Sequence, residues 1–196
     1  MEKVYIASET GESQEIPASF VVDASGQGGL IARQLALRQW DPFFRNLAVY
    51  GYFAGAKRLP EPDDTNIFIE SYPQGWLWTI PLHTVVVSVG AVVDSDIGQE
   101  GIRKLGPQRF LMDQLSQGPS TAALLRESKL TSRATVVRDW SYVCQQMAGP
   151  GYVLVGDAAC FVDPLFSSGV HLALMSGVMA AALATSAISD PEMEEA

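Results

Sequence analysis

The stretch from Tyr152 to Ile188 constrains the fold more than any other part of the chain. A short apolar segment, Tyr152–Val155, leads into Gly156-Asp157-Ala158, and an uncharged run follows from Gly169 to Ile188. Between them stands Asp163-Pro164, where the chain must turn because proline fixes its own φ and lacks a backbone donor. The pattern predicts a buried strand, a loop and a long helix.

The predicted helix start is suited to a ligand. Ser167 or Ser168 is a good N-cap, and Gly169 allows a ligand to approach the backbone. The unpaired N–H groups and the positive end of the helix dipole favour an anionic or electron-rich group there. Asp157, at the end of the strand, adds an acceptor suited to a ribityl or ribose hydroxyl. The alternative is an ordinary βα connection that binds nothing.

Composition narrows the class of protein. The 196 residues are 47% hydrophobic, enough for a core in one domain or a domain and a half. The net charge of −9 argues against nucleic acid and anionic membranes as partners. Cys144 and Cys160 lack Cys-x-x-Cys spacing, and no secretory signal precedes the first strand, so we expect a reduced cytoplasmic protein.

The run from Gly169 to Ile188 is long enough to span a membrane. It is rich in Ala, Ser, Gly and Met rather than Leu and Ile. This composition favours a buried helix that packs closely through small residues, and we expect no membrane partner.

The N-terminal part predicts two strands, Val4–Ser8 and Ile16–Val22, and a short helix, Leu30–Gln39. The second strand ends in Asp23-Ala24-Ser25-Gly26, and its apolar residues favour a parallel strand buried on both faces. Ligands in such sheets lie beyond the carboxyl ends of the strands. The alternative is that the glycine-rich end is only a flexible turn.

The middle of the chain predicts an antiparallel sheet followed by helices. The expected strands are Leu47–Ala56, Asn66–Tyr72, Trp76–Pro81, Val85–Val93 and Thr135–Val143, and the expected helices are Gly101–Gln117, interrupted near Gly106-Pro107, and Ser120–Lys129. We therefore predict a mixed α/β chain in which this sheet is inserted between two parts of a nucleotide-binding domain. The predicted parts are residues 1–40, 41–143 and 144–196, the last closing with an acidic tail.

Alternation along Gly75–Pro81 places Trp76, Trp78 and Ile80 on one face of a strand. Two adjacent indoles on one face form a rigid aromatic wall. The alternative is a core strand that happens to be rich in tryptophan.

Three ordered motifs together resemble the flavin-dependent halogenases of the FAD-dependent monooxygenase superfamily. They are Asp23-Ala-Ser-Gly26, Trp76-x-Trp-x-Ile-Pro81, and Gly156-Asp-Ala-Ala-x-Phe-x-Asp-Pro-Leu-x-Ser-Ser-Gly-Val-x-Leu-Ala173. The resemblance implies a partial FAD-binding Rossmann-like domain with an inserted antiparallel, substrate-side sheet. It also implies that a flavin hydroperoxide oxidises chloride or bromide, which then halogenates an aromatic or carrier-tethered substrate.

The resemblance also assigns residues. Trp76 and Trp78 are expected to separate flavin from substrate, and Ser168 and Gly169 to hold the halide. The expected FAD contacts are Asp23, Ser25, Gly26, Gly156, Asp157, Ala158, Pro164, Ser167, Ser168, Gly169 and Val170. A separate flavin reductase is the implied partner. His83 and His171 lack partners at metal or triad spacing, so we expect no metal.

Two departures from the family pattern stand out. Phe166 replaces the carboxylate of tryptophan halogenases, which points towards phenols, pyrroles or carrier-tethered substrates. The Gly-x-Gly-x-x-Gly fingerprint is not in this sequence, and none of Lys3, Lys57, Lys104 and Lys129 matches the family's catalytic lysine. We therefore expect a C-terminal portion of a halogenase that alone binds FAD weakly or not at all and does not turn over. The alternatives are an FAD monooxygenase or reductase without halogenation, and a non-catalytic remnant that needs a partner chain.

Overall fold

A computed structural model describes residues 3–7 and 10–189, which form two compact units. The first unit combines Met1–Pro42 with Ser141–Ala196, and the second is Phe43–Trp140. Two long strands, β4 (Arg38–Ala54) and β9 (Thr135–Cys144), each run from one unit into the other. The acidic tail predicted for residues 190–196 lies outside the described residues, and so do residues 8 and 9 of the predicted first strand and turn.

The first unit contains an antiparallel hairpin and a small mixed sheet. Strands β1 (Lys3–Ala7) and β2 (Ser13–Pro17) form the hairpin. The sheet has the order β10-β11-β3, with β3 (Val21–Asp23) parallel to β11 (Tyr152–Leu154) and β10 (Ala148–Gly149) antiparallel to β11. Two helices, α1 (Leu30–Gln34) and α5 (Gly169–Ser189), complete the unit, together with the two-residue strand β12 (Cys160–Phe161) beside β9.

The prediction of a single strand over Ile16–Val22 was wrong. Strand β2 ends at Pro17 and pairs with β1, whereas β3 begins at Val21 and pairs with β11. The break follows from proline, which cannot donate to a ladder. The helix predicted over Leu30–Gln39 is also shorter, because Ala36 adopts a left-handed φ of 53° and β4 already begins at Arg38.

Two expectations about burial in this unit were also wrong. Strand β3 is not buried on both faces, since Val22 is 48% exposed. Helix α5 is the one helix of the described residues that is long and apolar enough to cross a membrane, yet only 11% of its most apolar window is buried. The sequence shows that these elements are apolar, but it does not show what covers them.

The second unit is built on an antiparallel sheet, as predicted. Strand β4 pairs with β7 (Val86–Asp94), β7 with β6 (Gly75–Pro81), and β6 with β5 (Phe68–Tyr72). A two-residue strand, β8 (Lys129–Leu130), also pairs with β4. Strand β4 is longer than the predicted Leu47–Ala56 because it continues back to Arg38.

Three helices follow β7 in the second unit. Helices α2 (Ser95–Leu105) and α3 (Pro107–Gln117) are separated at Gly106, as the sequence predicts. This glycine has a φ of 77°, and a proline at the first helical position suits the restart. Helix α4 (Pro119–Leu125) ends before the predicted Lys129, which belongs to β8.

The main core lies between this sheet and α3. Its fully buried side chains come from alternate positions of β4, β6 and β7 and from one face of α3. They include Val49, Leu77, Val89, Leu111 and Leu115. Truncating one of these leucines to alanine is expected to cost about 2–5 kcal/mol.

Candidate functional site

A cleft of about 450 Å³ lies beside the N-terminus of α5 in the first unit. Its lining comes from the turn after β11, from β12 and from the loop that leads into α5. The lining residues are Asp157, Cys160–Pro164, Ser167–Val170, Leu172 and Ala173. Apart from Gly156 and Ala158 of the Gly-Asp-Ala turn, which are buried beside it, every residue expected from the third motif lines this cleft.

The loop before α5 is shaped by its own hydrogen bonds. Asp163 accepts a hydrogen bond from the Leu165 N–H at 2.8 Å, which starts a 3-10 turn over Pro164–Phe166. Ser167 then adopts a left-handed φ of 53°, which ends the turn. The Ser168 carbonyl accepts the first helical hydrogen bond, from Leu172 at 3.0 Å. The predicted helix start at residues 167–169 is therefore confirmed.

The described residues leave the space beside Gly169 open. None of them has a heavy atom within 4 Å of a Cβ built on this residue, and its φ is not in the left-handed region. The first N–H groups of α5 have no acceptor within the helix. A ligand can therefore reach the helix N-terminus from the cleft.

The Gly-Asp-Ala turn is attached to α5. Gly156 has a φ of 54° and donates its N–H to Ser176 Oγ at 2.9 Å. A Cβ at Gly156 would lie 3.2 Å from the Ala173 Cβ, which is a tight contact with the helix. Any residue other than glycine would also be strained by the left-handed φ. Glycine lets the turn approach α5 closely and fixes Asp157 at the cleft.

Asp157 carries a half-buried carboxylate in the cleft wall. Burial raises the pKa of this carboxyl above its ordinary value. No residue in the described part of the chain donates a hydrogen bond to the Asp157 carboxylate. A hydroxyl of a ligand would supply the missing donor.

Asp23 and Ser25 support the turn Gly26–Gly28, here called the first glycine turn; the Gly156–Ala158 turn is the second. The two carboxylate oxygens of Asp23 accept from the N–H groups of Ser25 at 3.0 Å and Ile31 at 2.8 Å, and Ser25 Oγ accepts from Leu30 at 3.0 Å. Burial raises the pKa of Asp23, but these hydrogen bonds and the charge of Arg38 outweigh it, so the pKa lies below its usual value. Because Asp23 is 5% exposed, its geometry is that of a support for the turn. Direct contact of Asp23, Ser25 or Gly26 with FAD stays a prediction.

Sequence reasoning missed Arg38 and Tyr142. The Arg38 Nη2 donates to the Gln27 carbonyl at 3.0 Å, and its guanidinium carbon lies 3.9 Å from the centre of the Tyr142 ring. Tyr142 in turn donates its hydroxyl hydrogen bond to the Asp157 carbonyl. These residues connect the two glycine turns, but nothing in the local sequence of β4 or β9 distinguishes them from ordinary strand residues.

The two tryptophans belong to the second unit, and alternation along β6 is as predicted. Their ring centres are 5.9 Å apart, and both indoles are half-buried. Leu77 and Thr79 point to the opposite, buried face. Trp78 donates from Nε1 to Ser88 Oγ at 3.2 Å.

Within residues 3–7 and 10–189, no three or more His, Cys, Asp or Glu side chains are grouped so that they could hold a metal ion.

Comparison with known proteins decides the family. A model described as tryptophan halogenase matches residues 4–195. The chain belongs to this family.

Individual halogenases agree with this family assignment. The chain is 39% identical to a tryptophan 2-halogenase of Chondromyces crocatus, over 93% of its own length and 35% of the relative's. It superposes on CmlS, a flavin-dependent halogenase, with a TM-score of 0.91 and 36% identity, covering 99% of this chain and 35% of CmlS. The myxobacterial chondrochloren halogenase CndH gives a TM-score of 0.87 at 36% identity, covering 95% of this chain and 44% of CndH.

The recognition of the halogenase family from the three motifs and the mixed α/β fold class are thereby confirmed. The expectation that the chain is a C-terminal portion of a halogenase stays a prediction. The chain spans about a third of the length of the curated halogenases that it matches.

Proposed function

We propose that this chain forms the flavin- and halide-holding portion of a flavin-dependent halogenase. The whole enzyme would oxidise chloride or bromide and transfer the halogen to an aromatic or carrier-tethered substrate. Family membership supports the reaction class, and the open helix N-terminus at Gly169 is the observation that carries the halide assignment. A flavin reductase as partner and a cytoplasmic location belong to the same proposal.

The cleft residues fit a flavin. The half-buried Asp157 carboxylate lacks a donor among the described residues and suits a ribityl hydroxyl. The largely apolar walls of the cleft suit a flat aromatic ring system. When bound, FAD would supply the oxidising chemistry, with O2 as the oxidant. The role of the chain is to hold and orient it through the Gly156 turn, Pro164 and Ser167–Val170.

The halide is placed at Ser168 and Gly169. Backbone N–H groups at the start of α5 point out of the helix, and the dipole favours an anion there. Among the described residues, no atom lies within 4 Å of a Cβ built on Gly169. A chloride or bromide ion needs only such backbone N–H donors and enough space beside them.

Trp76 and Trp78 are proposed to separate the flavin from the substrate. Their indoles form a half-exposed wall on β6, braced by the hydrogen bond from Trp78 to Ser88. Phe166 is 87% exposed at the position where tryptophan halogenases carry a carboxylate. This supports a phenol, a pyrrole or a carrier-tethered substrate rather than free tryptophan.

The test uses the chain joined in one reading frame to the part of CmlS that the superposition leaves out. With Gly169→Val, we expect the halide concentration for half-maximal halogenation to rise at least about tenfold, because the side chain fills the anion space. FAD binding is followed in the same variant by flavin fluorescence, so that a loss of flavin is told apart from a loss of halide. Gly177→Val is the matched control, because a Cβ at Gly177 would also have no heavy atom within 4 Å, yet this residue does not line the cleft.

Two outcomes would overturn the proposal. Unchanged halide dependence in Gly169→Val would remove the halide site. An oxygenated product that forms equally well without chloride or bromide would instead assign the fold to a monooxygenase without halogenation.

A further inference from the structure

A small cavity of about 10 Å³ lies in the second unit, between the loop that joins β4 to β5 and one end of the sheet. The loop contributes Asp64 and Asn66 to its wall, and the strands and α4 contribute apolar residues such as Phe68, Val87 and Leu124. A cavity of this size has room for about one water molecule and is too small for a cofactor or a substrate.

The hydroxyl of Thr79 lies at this cavity and has no hydrogen-bond partner in the described part of the chain. Thr79 is 4% exposed, and it lies on the same buried face of β6 as Leu77. Buried hydroxyls are nearly always hydrogen-bonded, and an unpaired one lowers the equilibrium constant for folding by about fivefold or more. We therefore expect Thr79 to find its partner inside the cavity.

The two cationic residues of the cavity wall place their charges against other groups. Lys57 Nζ lies 3.9 Å from the Glu127 carboxylate, and the Lys57 side chain is 60% exposed. Arg58 Nη2 donates to the carbonyls of Leu82 at 3.1 Å and Thr84 at 3.0 Å. Because both charges are engaged by residues that do not line the cavity, a neutral ligand fits it better than an anion.

We propose that this cavity binds one structural water molecule, which hydrogen-bonds to Thr79 Oγ1 and joins β6 to Asp64 and Asn66 of the loop. A buried water needs roughly two to four polar partners, and all three of these residues carry polar atoms at the cavity wall. The site lies on the face of β6 opposite Trp76 and Trp78. It is therefore independent of the contacts proposed for flavin, halide and substrate.

The experiment counts long-lived internal water molecules in the 196-residue chain by magnetic relaxation dispersion of the water oxygen. Thr79→Val keeps the shape of the side chain but removes the hydroxyl, and it should lower the count by one. Thr79→Ser keeps the hydroxyl and should keep the water. Thr121→Val is the matched control, because Thr121 is also buried but its hydroxyl has a partner within the chain, Glu70, at 2.7 Å. This control should leave the count unchanged.

Urea unfolding distinguishes a hydrated hydroxyl from a dry one. If the water is bound, Thr79→Val removes one of its hydrogen bonds, and the equilibrium constant for unfolding should rise about fivefold. An unpaired hydroxyl in a dry cavity would change the constant in the opposite direction, because valine has no hydrogen bond to lose. Residues 55–67 should also exchange their backbone hydrogens faster in Thr79→Val, since the loop loses its link to β6.

Three results would overturn the proposal. One is a count of internal waters, or a rate of hydrogen exchange in residues 55–67, that is the same in Thr79→Val as in the native chain. Another is an equilibrium constant for unfolding that stays the same or falls in this variant. The third is a bromide ion beside Thr79, located by anomalous scattering in crystals of the chain grown with sodium bromide, which would make the ligand an anion.

Discussion

The guanidinium carbon of Arg38 lies 3.9 Å from the centre of the Tyr142 ring, over its face. Arg38 also donates to the carbonyl of Gln27, within the first glycine turn, and Tyr142 donates to the carbonyl of Asp157, within the second. Through this pair, the two turns that are proposed to face the flavin are held to one another within the first unit. The position of each turn therefore depends on residues outside every recognised motif.

Replacing Arg38 with methionine should destabilise the chain. The variant keeps most of the side-chain volume but loses the cation–π contact and the hydrogen bond to Gln27. We expect the free energy of unfolding in urea to fall by about 2 kcal/mol. Arg33→Met, at an exposed position of α1, is the control, and an equal loss in both variants would contradict the prediction.

The Tyr142 hydroxyl should lose its proton at a higher pH than an ordinary tyrosine. Burial raises the pKa of Tyr142 to about 12, although the charge of Arg38 acts in the opposite direction. Because the folded pKa lies above the unfolded value of 10.0, this group stabilises the fold fully below pH 10.0 and loses that contribution as the pH rises towards about 12. Phenolate absorbance of the native chain minus that of Tyr142→Phe should show a step near pH 12. A step near pH 10 would contradict the burial argument.

Local patterns were sufficient for most elements. Alternation predicted β6 and the shared face of its tryptophans, and glycine followed by proline predicted the break between α2 and α3. The start of α5 followed from Ser167 to Gly169 in the same way. In each of these places the conformation is determined by residues within a few positions of one another, so it can be predicted from the local sequence.

The errors concern contacts between parts of the chain that are distant in sequence. Pairing partners, not local preference, split the predicted strand at Pro17, because β2 and β3 join different sheets. The contact between Arg38 and Tyr142 joins residues that are distant in sequence. Exposure of α5 depends on which protein surface covers it, a property that its own apolar residues cannot specify.

A carboxylate from β5 caps α4 in place of a local residue. The preceding Gly118 offers no side chain, and Glu70 accepts from the N–H of Ser120 at 3.0 Å and from the N–H and hydroxyl of Thr121, both at 2.7 Å. Glu70→Gln should lower the free energy of unfolding by about 1–2 kcal/mol at neutral pH, because the amide retains only one accepting oxygen.

The effect of Glu70 should depend on pH. Burial raises the pKa of Glu70, but the hydrogen bonds from Thr121 and Ser120 outweigh it and lower the pKa below 4.5. The stabilisation is therefore present above pH 4.5 and lost as the pH falls through the folded pKa, so native and Glu70→Gln chains should converge in acid. Glu127→Gln, whose side chain is 73% exposed, is the control. A gap between native and Glu70→Gln that is independent of pH would contradict the cap.

Gly90 leaves room for the indole of Trp78. A Cβ at Gly90 would lie 2.4 Å from an atom of the Trp78 ring and 2.6 Å from the Tyr50 Cβ. Gly90→Ala should therefore displace Trp78, shift its fluorescence emission and destabilise the chain by about 1–3 kcal/mol. Gly177→Ala is the matched control, and it should raise the free energy of unfolding by about 1 kcal/mol, because alanine is favoured over glycine in a helix interior. Among the described residues, no heavy atom lies within 4 Å of a Cβ built on Gly177. If Gly90→Ala kept both the emission and the unfolding free energy of the native chain, Trp78 would not be held against β7.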